Sequence, residues 1–171
     1  MDDKVGRVPP RKQVSPPAAD GAPDLKRLFS ELVRLETELW DAVGARLRAD
    51  HGLPLPQFEF MQVIAQTPNC RVQDIAARLS ITVGGTSKIV DRIEAAGHCA
   101  RRANPDDRRS SIVELTPAGK RLLAKATVTF EDELGKRLGP ALTHGSSVQF
   151  TKTLTRLRAA VNAADTGRRT A

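Results

Sequence analysis

Residues 71–102, RVQDIAARLSITVGGTSKIVDRIEAAGHCARR, constrain the fold more than any other stretch. Two short runs keep helical apolar spacing: Val72, Ile75, Ala76 and Leu79, then Ile89, Val90 and Ile93. A tight turn over Ser80–Thr82 separates them, so positions 75, 79, 89 and 93 pack the two helices together. The second helix is expected over about 83–96, with Gly97 as its left-handed C-terminal cap. Its other side would present Thr86, Ser87, Lys88 and Arg92. Short hydroxyls and glycine let a backbone approach the major groove, and Lys and Arg donate to phosphate and guanine. Thr82, Ser87 and Lys88 stand near the helix start, where free N–H groups favour anions. Two ordinary core helices would show the same apolar pattern, so the next segment of the chain has to decide between them.

That segment is RRANPDDRRSSIVELT, residues 101–116. Strands are expected over about 98–103 and 110–115, joined by the turn chemistry of NPDDRR. Arg101 and Arg102 fall at the base of this hairpin, as candidate phosphate contacts, and Arg108 and Arg109 fall at its tip. A ribbon directly after a recognition helix makes a winged helix. Its tip can enter the adjacent minor groove, where the narrow negative channel favours arginine.

Charge agrees. The formal net charge is +7. From Arg71 to Lys125 there are 11 Lys/Arg against 6 Asp/Glu, whereas the first 24 residues carry 4 of each. The excess therefore sits in the folded middle, which points to a polyanion such as double-stranded DNA. The two cysteines, Cys70 and Cys99, have neither the number nor the spacing of a disulfide scaffold or zinc site. His51, His98 and His144 are scattered. We expect no metal, no cofactor and no enzyme activity, because no phosphate loop, HExxH motif or catalytic cluster is present. There is neither a membrane-length apolar run nor a signal sequence, so a cytoplasmic setting is expected.

The remaining elements surround this centre. Residues 1–23, with five prolines, are expected to be a disordered tail. Asp24 could cap a long first helix ending before Gly52 and Pro54, so that 24–55 forms one unit. That helix is too long for one small core, and a partner is expected to share it. A second helix spans 56–66. Thr116 and Pro117 open another, 117–138, and a last one covers about 146–163. Residues 165–171 read as a flexible basic tail.

The stretch DRRSSIVELTPAG, Asp107–Gly119, matches the D-x-R…L-T-x-x-G wing signature of the MarR (multiple antibiotic resistance regulator) family. LSITVGGTSKIVDRIEAAG resembles that family's recognition helix, and the order of elements agrees from about residue 25 to 163. The resemblance implies a mainly α fold with a small β-wing. It comprises a winged helix-turn-helix lobe, 56–116, with N- and C-terminal dimerisation helices, 24–55 and 117–164. It implies a dimeric transcriptional regulator, most often a repressor, that reads a pseudo-palindromic operator. Its DNA contacts would fall on Thr82, Gly84, Gly85, Thr86, Ser87, Lys88, Arg92, Arg108 and Arg109. Arg109 occupies the minor-groove position, with Asp107 shaping the tip and Asp91 pairing with a wing arginine, here Arg109. Gly84-Gly85 departs from the bulkier polar residues common there. The other reading of the same surface is a winged-helix module for an acidic protein partner.

Family members hold a small effector between the dimer helices and the DNA-binding lobe. The resemblance would place Trp40, His51, Phe58, Phe60 and Met61 around it, or these residues simply fill the core. An anionic phenolic ligand would suit His51 and nearby arginines. Cys99 beside His98 is a possible redox switch only if exposed; an inert buried thiol is the expectation.

Overall fold

The computed structural model describes residues 23–105, 107 and 109–169. The expected Pro-rich tail thus lies outside the described residues, Pro23 excepted. In chain order the elements are α1 (Leu25–His51), α2 (Leu55–Gln66), α3 (Val72–Leu79), α4 (Val83–Ala95), β1 (Cys99–Ala103), β2 (Ser111–Leu115), α5 (Pro117–Leu138) and α6 (His144–Arg169). The fold is mainly α with a two-stranded sheet. The described residues divide into two units, 23–36 and 37–169, with the boundary inside α1.

In the first unit, Asp24 opens α1: its carboxylate accepts the Arg27 N–H at 2.9 Å. In the second, α2 is the central element. Phe58, Phe60, Met61, Val63 and Ile64 are all buried, and they meet Ile75, Val90, Ile93, Val113 and Leu115 in one core. The Phe58 and Phe130 rings lie 4.9 Å apart, tying α2 to α5. Each such side chain contributes roughly 1.5–3 kcal/mol by leaving water.

Local chemistry sets the turns. Ser80 ends α3 in the left-handed region, φ 56°, and its N–H bonds the Ala76 carbonyl. Thr82 caps α4 by accepting the Gly85 N–H. Gly97, φ 76°, closes α4: its own N–H reaches the Glu94 carbonyl at 2.8 Å and His98 N–H reaches Ile93 at 3.0 Å.

β1 and β2 pair antiparallel, with Arg101 opposite Val113 and Arg102 opposite Ile112. The ribbon has a further edge that residue order does not reveal. Val113 N–H donates to the Cys70 carbonyl at 2.7 Å, and Arg71 bridges Ile112. The segment before α3 thereby anchors the ribbon. α6 also differs from expectation, continuing through 165–169 as helix rather than stopping near 163. Extending an existing helix costs far less than starting one, so weak helix formers there are carried along.

Candidate nucleic-acid interface

α3, the Ser80–Thr82 turn and α4 form the helix-turn-helix, and β1 and β2 form the ribbon beside it. Thr82, Gly84, Gly85, Lys88 and Arg92 are exposed, and Ser87 is half-buried. A Cβ on Gly84 would meet nothing within 4 Å, so the chain's own packing does not require glycine there. Val83 and Ile81 add exposed apolar surface at the start of α4. Sequence periodicity reads such residues as core, so it passes over them.

Thr86 is corrected. It is fully buried, and its hydroxyl donates to the Thr82 carbonyl at 2.9 Å. Thr86, Val90 and Ile93 form one stripe at i, i+4 and i+7, facing the core. A threonine satisfied on the i−4 carbonyl can occupy such a stripe, so the apolar residues alone begin it a turn too late.

The wing arginines are also rearranged. Asp91 does not pair with Arg109; its carboxylate accepts from Arg101 at 2.6 Å. Arg101 also holds Glu94, through its guanidinium and through its backbone N–H at 2.9 Å. Burial pulls the Arg101 pKa down, but the bond to Asp91 and the charges of Glu94 and Asp91 outweigh it, leaving the pKa above the ordinary value. Arg102 donates to Glu114 at 2.8 Å and to Asn69 at 2.9 Å. Both base arginines, offered by the sequence as phosphate contacts, are thus engaged within the protein. The signal that separates them is strand parity. Arg101 shares a strand face with buried Cys99 and points to α4, while Arg102 takes the opposite face.

At the tip, Asp107 accepts the Arg109 N–H at 2.9 Å, and its carbonyl accepts from Ser110. Arg109 is exposed. Arg108 lies outside the described residues. Arg71, at the start of α3, is clamped to Asp74 at 3.0 Å. That bond holds the Asp74 carboxyl below its usual range.

The five candidate effector residues differ in their surroundings. Phe58, Phe60 and Met61 fill the core, Trp40 is partly exposed, and His51 Nε2 meets the Thr129 hydroxyl at 2.8 Å. A cleft of about 710 Å³ opens elsewhere, between the end of α2, the 67–70 turn, β2 and α5. Ile64, Cys70, Val113, Leu115, Lys120 and Leu123 are among its walls. Cys70 and Cys99 are buried free thiols, and burial pushes both up to about 11. No cluster suited to a metal ion occurs among the described residues. Nor is any helix among them long and apolar enough to cross a membrane.

Residues 53–111 match the model of the MarR family. The HTH-type transcriptional repressor Mb2911 of Mycobacterium bovis is 32 % identical over 108 residues, which span 63 % of this chain and 74 % of that one. The chain belongs to the MarR family. This is a family of transcriptional regulators rather than enzymes. Another similar protein, the HTH-type regulator YfiV of Bacillus subtilis, is 29 % identical over 41 % of this chain, and the chain spans only 44 % of its length. Among solved structures, CouR bound to a 23-mer DNA duplex superposes with a TM-score of 0.72 and 25 % identity, over 79 % of this chain and 95 % of that one. CouR from Rhodococcus jostii RHA1 is also known bound to p-coumaroyl-CoA, with a TM-score of 0.67 and 21 % identity, over 78 % of this chain and 91 % of that one.

Proposed function

We propose that this MarR-family regulator is a homodimeric, sequence-specific DNA-binding repressor, released by a small ligand. One observation carries the DNA reading. The exposed side of α4 offers Thr82, Gly84, Gly85, Lys88 and Arg92 beside a wing whose exposed Arg109 is held at a tip shaped by Asp107. α4 enters the major groove, and Arg109 enters the neighbouring minor groove. The DNA-bound state of CouR supports this reading.

The dimer rests on unspent apolar surface. Leu25, Leu28 and Phe29 on α1, and Val148, Phe150, Leu157 and Val161 on α6, are exposed. Each of these helices offers its own apolar surface to a second copy. Two recognition helices then read a pseudo-palindrome with half-sites about one turn apart.

For the ligand, the cleft is better placed than the five residues named from the sequence. Its walls are mainly apolar, with Lys120, Glu114, Asn69 and Thr127 as polar groups on the rim, which suits a largely apolar body carrying polar substituents. The p-coumaroyl-CoA complex of CouR supports a ligand of that general kind.

Binding-site selection from genomic fragments tests the proposal. The expected result is enrichment of one palindromic sequence, with affinity falling steeply as salt rises. Equal binding to all duplexes at moderate salt would overturn specific regulation and favour an acidic protein partner.

A further inference from the structure

We propose that Val83, the first residue of α4, reads the 5-methyl group of a thymine in the major groove. This deepens the reading above by naming what part of a base is recognised, and it rests on that reading. Val83 is 56 % exposed, so the fold does not use it as core. Its neighbours in the first turn offer no side chain to a base. Gly84 and Gly85 have none, and Thr86 is fully buried with its hydroxyl on the Thr82 carbonyl. Of the described residues 83–86, Val83 alone presents a side chain to solvent. The two glycines have different reasons to be there. A Cβ on Gly85 would stand 3.1 Å from Thr82 Oγ1 and crowd the cap, whereas one on Gly84 would meet nothing. Gly84 therefore lowers the helix wall beside Val83 and lets the backbone come close to a base edge.

The chemistry of the side chain selects the base. An isopropyl group neither donates nor accepts a hydrogen bond, so it cannot choose among the polar groups that the groove displays. The apolar group displayed there is the thymine methyl. Bringing the two together removes apolar surface from water on both sides. Valine is stiff at χ1 in a helix, so it loses little freedom on contact. The N-terminal residues of a recognition helix are those that reach base edges. Exposed Lys88 and Arg92 on the same helix favour a phosphate backbone as the surface that α4 meets. Ser87 and Lys88 follow Val83 and Gly84 by four residues and supply polar contacts one turn on. Ile81, before the cap, is 41 % exposed and is the rival apolar contact.

The test measures binding to the selected duplex, the sequence enriched in the experiment above. Deoxyuridine replaces thymidine at one symmetry-related pair of positions at a time. It keeps every hydrogen-bonding group of thymidine and lacks only the methyl. Native protein, Val83→Ala and Ile81→Ala are titrated, all full length. Burying one methyl is worth about fourfold in affinity, so replacement in both half-sites should weaken native binding roughly fifteenfold at one pair. At that pair Val83→Ala should bind the two forms within twofold, while Ile81→Ala keeps the native penalty. The salt slope of Val83→Ala should match the native one, because no phosphate contact is lost. The proposal is overturned if native protein binds every deoxyuridine duplex within twofold of the all-thymine one. It is overturned equally if Val83→Ala retains the penalty, if Ile81→Ala removes it, or if the Val83→Ala salt slope falls by about one unit, as when the helix shifts off the backbone. If native protein selects no sequence, the specific-regulator reading falls and this inference with it. A selected sequence indifferent to deoxyuridine overturns the inference alone.

Discussion

Gly119 lies directly against the carbonyl of His98: a Cβ at 119 would overlap that oxygen. The same carbonyl accepts the Thr116 N–H at 3.1 Å, and the Thr116 hydroxyl donates to the Gly97 carbonyl at 2.7 Å. The start of α5 is therefore seated on the end of α4. This is the physical content of the L-T-x-x-G signature in this chain. The threonine caps α5 and holds the preceding turn, and the glycine lets the two backbones touch.

Gly119→Ala should consequently destabilise the fold by about 1–3 kcal/mol, since backbone, not a flexible side chain, must yield. For a chain of this size that lowers Tm by roughly 2–4 °C per kcal/mol. Differential scanning calorimetry checks it; a Tm within a degree of native would show that the contact relaxes freely.

Thr86 and its neighbours separate packing from DNA contact. Thr86→Val keeps shape and burial but loses the bond to the Thr82 carbonyl, so affinity for the selected duplex should stay within about twofold. Lys88→Ala and Arg92→Ala should each weaken binding and reduce the salt slope by about one unit. Titrations at several salt concentrations distinguish them. Strong loss of affinity in Thr86→Val with native stability would return Thr86 to the interface.

Gly84→Ala should oppose stability to function. Open space surrounds the site, and alanine favours helix over glycine by up to about 1 kcal/mol. Tm should rise slightly while affinity for the selected duplex falls, because the proposed complex sets the bare backbone against the groove. A variant that gains stability and keeps full affinity would remove Gly84 from the DNA-contacting set.

The cysteines should be unreactive. A thiol pushed up to about 11 is protonated at neutral pH, and only the thiolate attacks. Folded protein at pH 7.5 should resist a thiol reagent until denatured, with reactivity rising only as pH approaches 11. Rapid labelling of either cysteine in the native state would reopen a redox role.

Much of this was legible in residue order. Apolar spacing marked α1 to α5, because each helix must bury one stripe. Gly97, Thr116 and Pro117 marked boundaries, because their capping preferences belong to the residue types themselves. The recognition helix and the wing were readable for the same reason: both are continuous segments with their own turn chemistry.

Pairing was not legible. Asp91 and Glu94 could reach Arg101, Arg102 or Arg109 by charge alone, and all are solvent-compatible residues. Strand parity and the strand's packing on α4 brought Arg101 to the two acids, while Arg102 went to Glu114 and Asn69. Thr86 was likewise ambiguous, since a hydroxyl can face water or bond its own helix.

The sequence by itself determined the order of elements, their caps and the basic character of the α4 and wing region. These come from local conformational preference and from the period of burial. Only the tertiary structure decided which arginine braces and which stays free, which threonine is core, and where a cleft opens. Those outcomes depend on distances between segments far apart in the chain, and on which carboxylate is close enough to repay the ordering of a guanidinium.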